Sequence, residues 1–398
     1  MGGLALRHLT RDARLLVLAF SVTSIPIGLM SVAMPVYMER LGLGSVLAGT
    51  FFTVTGITSV VLVIPLGILA DRYGRRRQTI LGGILLVASM VLIAAAESYA
   101  VFLVAGALLG VAEALGFSTF NALLAEATDD AGRTSAFGLS FFFNSLFFAA
   151  GNLLAVLPDM ALEGGASDIG GVYRPVFALA AALAILNPAS LSLVKVGGRR
   201  IATDRSLLPR KSAPILVKFL ASNLVIGLGA GLIIPLFSLW FYLKFDLAES
   251  TTGPLLAFAS VVTAGSYLLA PILARRYGMV RTIVTVQLIA TAALFFIPIV
   301  SNFLVVGTLF IVRNLLMNMS WPVASSFLMT AVDESERAAA SAVTGSAFRL
   351  PFAMSTTLGG YLLTVNLDLP FFVTTGLYAV GTFTFWAFFR QTPAPPRR

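Results

Sequence analysis

Long apolar runs alternate with short polar stretches along almost the whole chain. Twelve runs approach or exceed the roughly 20 residues that an α-helix needs to cross a bilayer. They cover 15–37, 44–70, 79–96, 99–125, 134–157, 175–194, 213–243, 253–274, 282–300, 303–330, 338–367 and 369–389. The strands of a transmembrane β-barrel would instead alternate apolar and polar residues over about ten positions. The pattern therefore predicts an all-α membrane protein with twelve transmembrane helices.

The basic residues lie almost entirely in one set of the loops between these runs. That set includes both ends of the chain and the stretch 71–77, which holds four arginines. The opposite set holds three basic residues: Arg40, Arg174 and Lys244. Because basic loops stay in the cytoplasm, we predict a multi-pass protein of the plasma membrane with both termini cytoplasmic. The net charge of +9 then reflects membrane topology and not nucleic-acid binding.

Composition excludes several other classes of protein. The chain is 58% hydrophobic and 11% charged, too few charges to cover soluble domains of this length. It has no Cys, and its one imidazole, His8, precedes the first apolar run. The sequence 138–141, Gly-Leu-Ser-Phe, matches the Gly-x-Ser-x of intramembrane serine proteases, but no membrane-embedded His accompanies it. We therefore expect neither an enzyme nor a bound metal or cofactor.

The two halves of the chain resemble each other at a constant offset of 204 residues. The stretch 68–77 aligns with 272–281, and seven of the ten positions are identical. A polar, basic segment separates the halves. We predict two duplicated six-helix bundles, 1–195 and 213–398, joined by a cytoplasmic linker at 196–212.

Residues 67–77 read Gly-Ile-Leu-Ala-Asp-Arg-Tyr-Gly-Arg-Arg-Arg. This stretch resembles the signature loop between helices 2 and 3 of the major facilitator superfamily, of the form G-x-L-a-D-r-x-G-r-r/k. The resemblance extends to the twelve spans, the repeat and the basic central loop. It implies a secondary transporter of two pseudo-symmetric six-helix bundles, which alternates between inward-open and outward-open states, with helices 1, 4, 7 and 10 lining a central cavity.

The signature loop has a physical interpretation of its own. A glycine in the helix permits close packing, a second permits a tight turn, and the arginines neutralise the Asp. In the family, the matching Asp is thought to help latch the bundles on the cytoplasmic side, with Arg133 or Asp129 as its partners here. The predicted latch residues are Gly67, Asp71, Gly74, Arg75 and Arg133. The alternative is that the loop serves only to set topology.

Three charged residues lie far from any membrane interface: Glu113, Arg313 and Arg349. At 1.5 Å per residue each is roughly 15–21 Å deep in its predicted span. A charge at that depth costs about 2.5–3.5 kcal/mol or more unless it faces water or a partner, so we interpret these residues as functional. The repeat places Glu113 and Arg313 one helical turn from equivalent positions, so we expect both to face one cavity.

Glu113 is the candidate proton carrier, because a carboxyl in an apolar cavity changes its protonation when a neighbouring Arg is occupied or freed. A static tether between the bundles is the alternative. Around these charges we expect a wide and sparsely polar cavity. The predicted substrate-binding residues are Glu113, Phe117, Asn121, Asn144, Asn223, Trp240, Arg313, Asn314, Asn318, Trp321 and Arg349.

Such a lining favours amphipathic organic molecules over sugars. The sequence therefore predicts proton-coupled export of amphipathic compounds by a monomer whose partners are a small-molecule substrate, protons and the lipid bilayer. The alternative is transport of an organic anion or another small solute that Arg313 and Arg349 bind.

Overall fold

The chain folds almost entirely into helices. The computed structural model describes residues 9–128, 130–196, 211–333 and 336–391, with the backbone alone at 130–135, 268, 337–339 and 342. These residues contain sixteen α-helices and no strand. The helices are α1 (Arg11–Val22), α2 (Ser24–Arg40), α3 (Gly44–Tyr73), α4 (Arg75–Ala94), α5 (Tyr99–Ala127), α6 (Asp130–Leu154), α7 (Val156–Glu163), α8 (Ile169–Ala184), α9 (Leu186–Ser192), α10 (Ala213–Ile233), α11 (Phe237–Phe245), α12 (Glu249–Tyr277), α13 (Met279–Phe296), α14 (Phe303–Ala331), α15 (Arg337–Val365) and α16 (Leu369–Phe389).

The predicted spans appear as these helices. Within the described residues, ten helical stretches are long and apolar enough to cross a membrane, and the bent helix α12 raises the number to eleven. Two helices that meet at a short break, such as α1 and α2, count as one stretch. The one predicted span outside this number, 338–367, corresponds to α15, a helix of 29 residues.

Three predicted spans are broken for a common reason. Helices α1, α6 and α8 end four residues before Pro26, Pro158 and Pro188. Proline has no backbone N–H and therefore cannot donate to the carbonyl four residues earlier. At Pro235 the chain instead forms a 3₁₀ turn, Ile234–Leu236, between α10 and α11. The apolar pattern alone predicts these spans as continuous helices, so the breaks are a correction to it.

By their internal contacts the residues form two compact units. Unit 1 comprises Met1–Ala202 and Pro235–Ser260, and unit 2 comprises Thr203–Ile234 and Val261–Arg398. Helix α11 and the first turns of α12 thus pack in unit 1, although the sequence repeat assigns them to the second half. The predicted domains 1–195 and 213–398 describe the repeat and stay a prediction at that level. Most of the linker, 197–210, lies outside the described residues.

Glycines bring helix backbones into contact within unit 1. A Cβ added at Gly151 of α6 would lie 2.0 Å from the carbonyl oxygen of Ile25 on α2. A Cβ at Gly28 would lie 2.2 Å from the carbonyl oxygen of Phe148. Membrane helices lack a hydrophobic driving force between them and associate through such close packing. The α2–α6 pair therefore depends on small residues on both helices.

Unit 2 contains an equivalent crossing between α10 and α15. A Cβ at Gly231 would lie 1.9 Å from the carbonyl oxygen of Phe352, and one at Gly359 would lie 1.9 Å from that of Leu232. Leu232 follows Gly28 by the repeat offset of 204 residues. The same helix pair therefore crosses at the same place in both halves of the chain, which supports a duplication.

Candidate functional site

The signature loop forms a turn of one residue between α3 and α4. That residue is Gly74, whose φ of 100° is strained for any residue with a side chain. Gly67, two helical turns earlier, faces α5, where a Cβ added to it would lie 3.4 Å from Cβ of Ser118. In the second copy of the loop Gly278 has a φ of 88°. Both copies therefore use glycine to reverse the chain.

Arg75 joins the ends of three helices in unit 1. Its Nε donates to Oδ1 of Asp71 on α3 at 2.8 Å, and its Nη1 lies 2.6 Å from Oε1 of Glu126 near the end of α5. Sequence reasoning missed Glu126, although it lies three residues before Asp129, which was considered. Asp129 and the side chain of Arg133 lie outside the described residues. A carboxylate from α5 therefore contacts the predicted latch residue Arg75, and the latch itself stays a prediction.

Glu113 is the fifteenth of the 29 residues of α5 and is half-buried. Phe117 and Asn121 follow it at intervals of four residues, so all three side chains share one face of the helix. Phe117 and Asn121 are exposed. Within unit 1 the candidate proton carrier therefore lies on a face that becomes more exposed toward the end of α5.

Asn144 belongs to a polar seam between α2 and α6. The hydroxyl of Ser24 donates to Oδ1 of Asn144, and two turns along the same helix pair the hydroxyl of Ser31 lies 3.2 Å from Oδ1 of Asn152. Nδ2 of Asn152 lies 3.4 Å from the hydroxyl of Ser260. Sequence reasoning identified only Asn144. The serines carry little signal in an apolar run, because a single hydroxyl can bond within its own helix.

In unit 2 the structure brings together several of the predicted residues on α14. Nδ2 of Asn314 donates to the hydroxyl of Thr263 on α12 at 3.2 Å, and Nδ2 of Asn318 donates to the carbonyl oxygen of Asn314 at 2.8 Å. One turn further, the exposed ring of Trp321 meets Phe348 of α15 edge to face, with ring centroids 5.1 Å apart. These residues form a polar strip with an aromatic end.

Arg313 precedes Asn314 but points elsewhere. It is 3% exposed, and its Nη2 donates to the hydroxyl of Tyr378 on α16 at 2.7 Å, beneath the face of that ring. Its Nε has no hydrogen-bond partner among the described residues. Arg349, by contrast, is exposed on α15. Glu113 belongs to the other unit, so its predicted pairing with Arg313 stays a prediction.

The two remaining predicted residues differ in accessibility. Asn223 is half-buried, and its Nδ2 donates to the carbonyl oxygen of Phe219 on its own helix at 2.9 Å. Trp240 is 0% exposed in unit 1, in contact with the rings of Phe237, Phe241 and Phe245. In this conformation Trp240 offers no surface to a substrate.

A buried charge cluster that the sequence did not predict lies at one end of unit 1. Nη2 of Arg40 lies 3.0 Å from Oδ1 of Asp159 and 3.0 Å from Oε2 of Glu249. The hydroxyl of Tyr173 donates to Oε1 of Glu249. These four residues, hereafter the Arg40 cluster, come from α2, α7, α8 and the first turn of α12. Arg40 is one of only three basic residues in its set of loops, and that exception was an available signal.

Comparison with known proteins identifies the family. The family profile described as Major Facilitator Superfamily matches residues 16–356 and 219–398. The chain belongs to this superfamily. Its fold is also that of solved transporters. The nucleoside transporter NupG is 14% identical, with a TM-score of 0.78 over 94% of this chain and 100% of that one.

A bacterial homologue of the human lysosomal transporter Spinster, in an inward-facing and occupied conformation, is 14% identical. Its TM-score is 0.78 over 95% of this chain and 96% of that one. The unoccupied form of that homologue has a TM-score of 0.74 at 13% identity, over 94% of this chain and 97% of that one. No curated protein matches the chain in sequence.

Membership of the superfamily makes the chain a multi-pass membrane transporter with a small-molecule substrate. The resemblance inferred from the signature loop and the predicted fold class are therefore confirmed. The solved structures are 13–14% identical to this chain, and at that level of identity they show its fold but not its substrate.

Proposed function

We propose that this transporter exports amphipathic organic compounds in exchange for protons, with Glu113 as the proton carrier. The observation that carries the proposal is the position of Glu113, half-buried halfway along a 29-residue apolar helix. An apolar environment costs an ionised carboxyl more free energy than a neutral one, so a carboxyl in such a position is suited to take up and release a proton. The proposal includes a monomer in the plasma membrane with both termini cytoplasmic.

The predicted substrate-binding residues of each unit favour an amphipathic substrate. Phe117 in unit 1 and Trp321 in unit 2 are large, exposed and aromatic, and one helical turn from each lies a single amide, Asn121 and Asn318 respectively. Few polar groups on an apolar lining orient a ligand without demanding many hydrogen bonds from it. A sugar would leave most of its hydroxyl groups unpaired in such a site.

The test uses purified transporter in liposomes, with a hydrophobic quaternary ammonium dye as substrate and a pH indicator inside. For transporters inserted inside out, an acidic lumen drives protons out and the dye in. At 1:1 exchange of a dye cation for a proton, one pH unit balances about a tenfold dye gradient. Ionophores hold the membrane potential at zero, so that the potential itself does not accumulate the dye. Glu113→Gln abolishes this accumulation and the accompanying proton movement. It retains exchange of dye for dye, because that exchange needs no net proton transfer.

Glu163→Gln is the matched control, because Glu163 is an exposed carboxylate at the end of α7. It should behave as the parent does. Proton coupling is wrong if the parent accumulates dye equally with and without the pH gradient and Glu113→Gln matches it.

Transport of an organic anion is the second candidate. One observation favours it: Arg313 is buried with an Nε that lacks a hydrogen-bond partner among the described residues, and a carboxylate or phosphate ligand would supply one. Arg349 would provide the second positive charge. A carboxylated dye of similar size distinguishes the two functions. If uptake of the carboxylated dye is saturable, uptake of the quaternary ammonium dye is not, and Arg313→Gln and Arg349→Gln each abolish the former, then anion transport replaces export of amphipathic cations as the proposed function.

A further inference from the structure

The Arg40 cluster contains more negative than positive charge. One guanidinium faces two carboxylates, both on its Nη2. Glu249 is 0% exposed and Asp159 is 4% exposed, so water does not screen the excess charge. Like charges that share one counter-ion in a buried site disfavour the doubly ionised state. Binding one proton would make the cluster neutral.

The hydrogen bonds indicate which carboxylate takes that proton. Both oxygens of Asp159 have donors: Oδ1 accepts from Arg40, and Oδ2 accepts from the backbone N–H of Ser250 at 3.3 Å. In Glu249 only Oε1 accepts a hydrogen bond, from Tyr173. Oε2 lies at ion-pair distance from Arg40 but has no hydrogen-bond partner among the described residues. Oε2 of Glu249 is therefore the atom with room for a proton.

Aromatic side chains fix the rest of the cluster. The ring of Tyr173 stacks on that of Tyr37 with centroids 4.4 Å apart, and the guanidinium of Arg40 lies 5.3 Å from the ring centroid of Tyr242 on α11. The titratable and charged groups that face Glu249 are thus Arg40 from α2, Asp159 from α7 and Tyr173 from α8. The side chains of Glu249 and Tyr242 and the backbone N–H of Ser250 come from Pro235–Ser260.

That segment is the part of unit 1 that the sequence repeat assigns to the other half of the chain. Its attachment to α2 and α7 includes the ion pair of Glu249 with Arg40, the N–H of Ser250 on Asp159, and the hydroxyl of Ser238, which donates to the carbonyl oxygen of Ser31 at 3.2 Å. Of these three contacts, the ion pair is the one that a proton on Glu249 weakens directly.

We propose that the Arg40 cluster is a second proton-binding site, and that a proton on Glu249 releases the segment Pro235–Ser260 from the rest of unit 1. The step moves one proton from water to Oε2 of Glu249 and turns a carboxylate into a carboxylic acid. Arg40 then keeps Asp159 as its partner, while the segment loses its ion pair with Arg40. This inference deepens the proposed proton-coupled transport, on which it rests, by adding a proton-controlled gate at a distance from Glu113.

The test measures how accessible the start of α12 is. Because the chain has no Cys, a single introduced thiol is the only one that reacts. Thr252 is 0% exposed, and within the described residues its hydroxyl donates to the carbonyl oxygen of Ala248 in the same segment, so Thr252→Cys removes no hydrogen bond to α2 or α7 there. The rate of labelling with a hydrophilic maleimide is measured in detergent and without substrate. It is then divided by the labelling rate of the unfolded protein at the same pH. That division removes the pH dependence of the thiol itself.

As the pH is lowered from 8 to 5, we expect this ratio to rise, over part of the range by about tenfold per pH unit. That slope is the one expected when release of the segment is coupled to the binding of one proton. Thr55→Cys, a buried position on α3 whose hydroxyl also bonds within its own helix, should stay within about twofold. Glu249→Gln mimics the protonated state, so Thr252→Cys should be accessible at every pH in that background. Asp159→Asn makes Glu249 the one carboxylate of the cluster that pairs with Arg40, so Glu249 should hold its charge to a lower pH. Labelling in this variant should therefore begin to rise at a lower pH than in the parent.

Opposite effects of these two substitutions separate a proton site from a purely structural ion cluster, in which both would loosen the segment. The proposal is overturned if the parent profile is flat, if Asp159→Asn increases labelling, or if Glu249→Gln also exposes Thr55→Cys. A flat profile with proton-coupled transport intact rejects the gate alone. A normal profile with transport indifferent to pH rejects the proposed function alone, and Glu113→Gln should leave the profile unchanged.

Discussion

The contact between α2 and α6 can be tested with two glycines of the same helix. Gly151→Ala places a Cβ 2.0 Å from the carbonyl oxygen of Ile25, whereas Gly138→Ala places one where no atom lies within 4 Å. A carbon and an oxygen approach to about 3.3 Å at closest, so α2 and α6 must separate by about 1.3 Å in the first variant only. Overpacking of this kind costs about 1–3 kcal/mol, and a backbone oxygen cannot rotate aside, so we expect about 3 kcal/mol.

Both variants gain the same helix propensity, about 1 kcal/mol, so their difference isolates the clash. The assay is thermal unfolding of the purified transporter in detergent. If 1 kcal/mol shifts the midpoint by about 2 °C, as in larger soluble domains, Gly151→Ala should unfold about 6 °C below Gly138→Ala. Midpoints within about 1 °C of each other would show that the helices do not touch at Gly151.

Two ion and hydrogen-bond networks give further predictions. Arg75→Lys should lower the midpoint of thermal unfolding in low salt, because one ammonium group cannot bridge Asp71 and Glu126 as the planar guanidinium does. At about 1 M salt the Debye length falls to about 3 Å, so the difference in midpoint between variant and parent should shrink. A difference that does not depend on salt would contradict an electrostatic link. Tyr378→Phe removes the hydroxyl that accepts a hydrogen bond from the buried Arg313, and should lower the free energy of unfolding by about 1–3 kcal/mol. Loss of an exposed tyrosine hydroxyl elsewhere should have no measurable effect. Equal midpoints of thermal unfolding for Tyr378→Phe and the parent would refute the pairing.

The sequence predicted the spans well because a bilayer imposes one length and one composition on every spanning helix. The helix breaks at α1, α6 and α8 could also have been predicted, since each lies four residues before a proline. Other prolines do not break their helices: α8 runs through Pro175 and α14 through Pro322. The rule therefore identifies candidate breaks, and tertiary packing decides which of them occur.

The side-chain clusters were harder to predict. Asp71 and Arg75 are four residues apart in the signature loop, so their contact could be expected, but Glu126 joins Arg75 from 51 residues away. Asp159 and Glu249 reach Arg40 over still longer separations, and each of them lies near the end of an apolar run, where a charge is ordinary. Reasoning about charges at the membrane centre could not find this cluster. The unusual feature of Arg40 in the sequence is that its set of loops holds few basic residues, and not its depth in a predicted span.

The inclusion of Pro235–Ser260 in unit 1 has a consequence for biosynthesis. A chain grows from its N-terminus, and the helices of unit 1 from α1 to α9 are complete well before the ribosome reaches Glu249. Until then Arg40 has Asp159 as its one carboxylate partner within the cluster, and the first six predicted spans must insert with the place of α11 unfilled. The first half of the gene therefore encodes an unfinished fold, and the second half supplies its last piece.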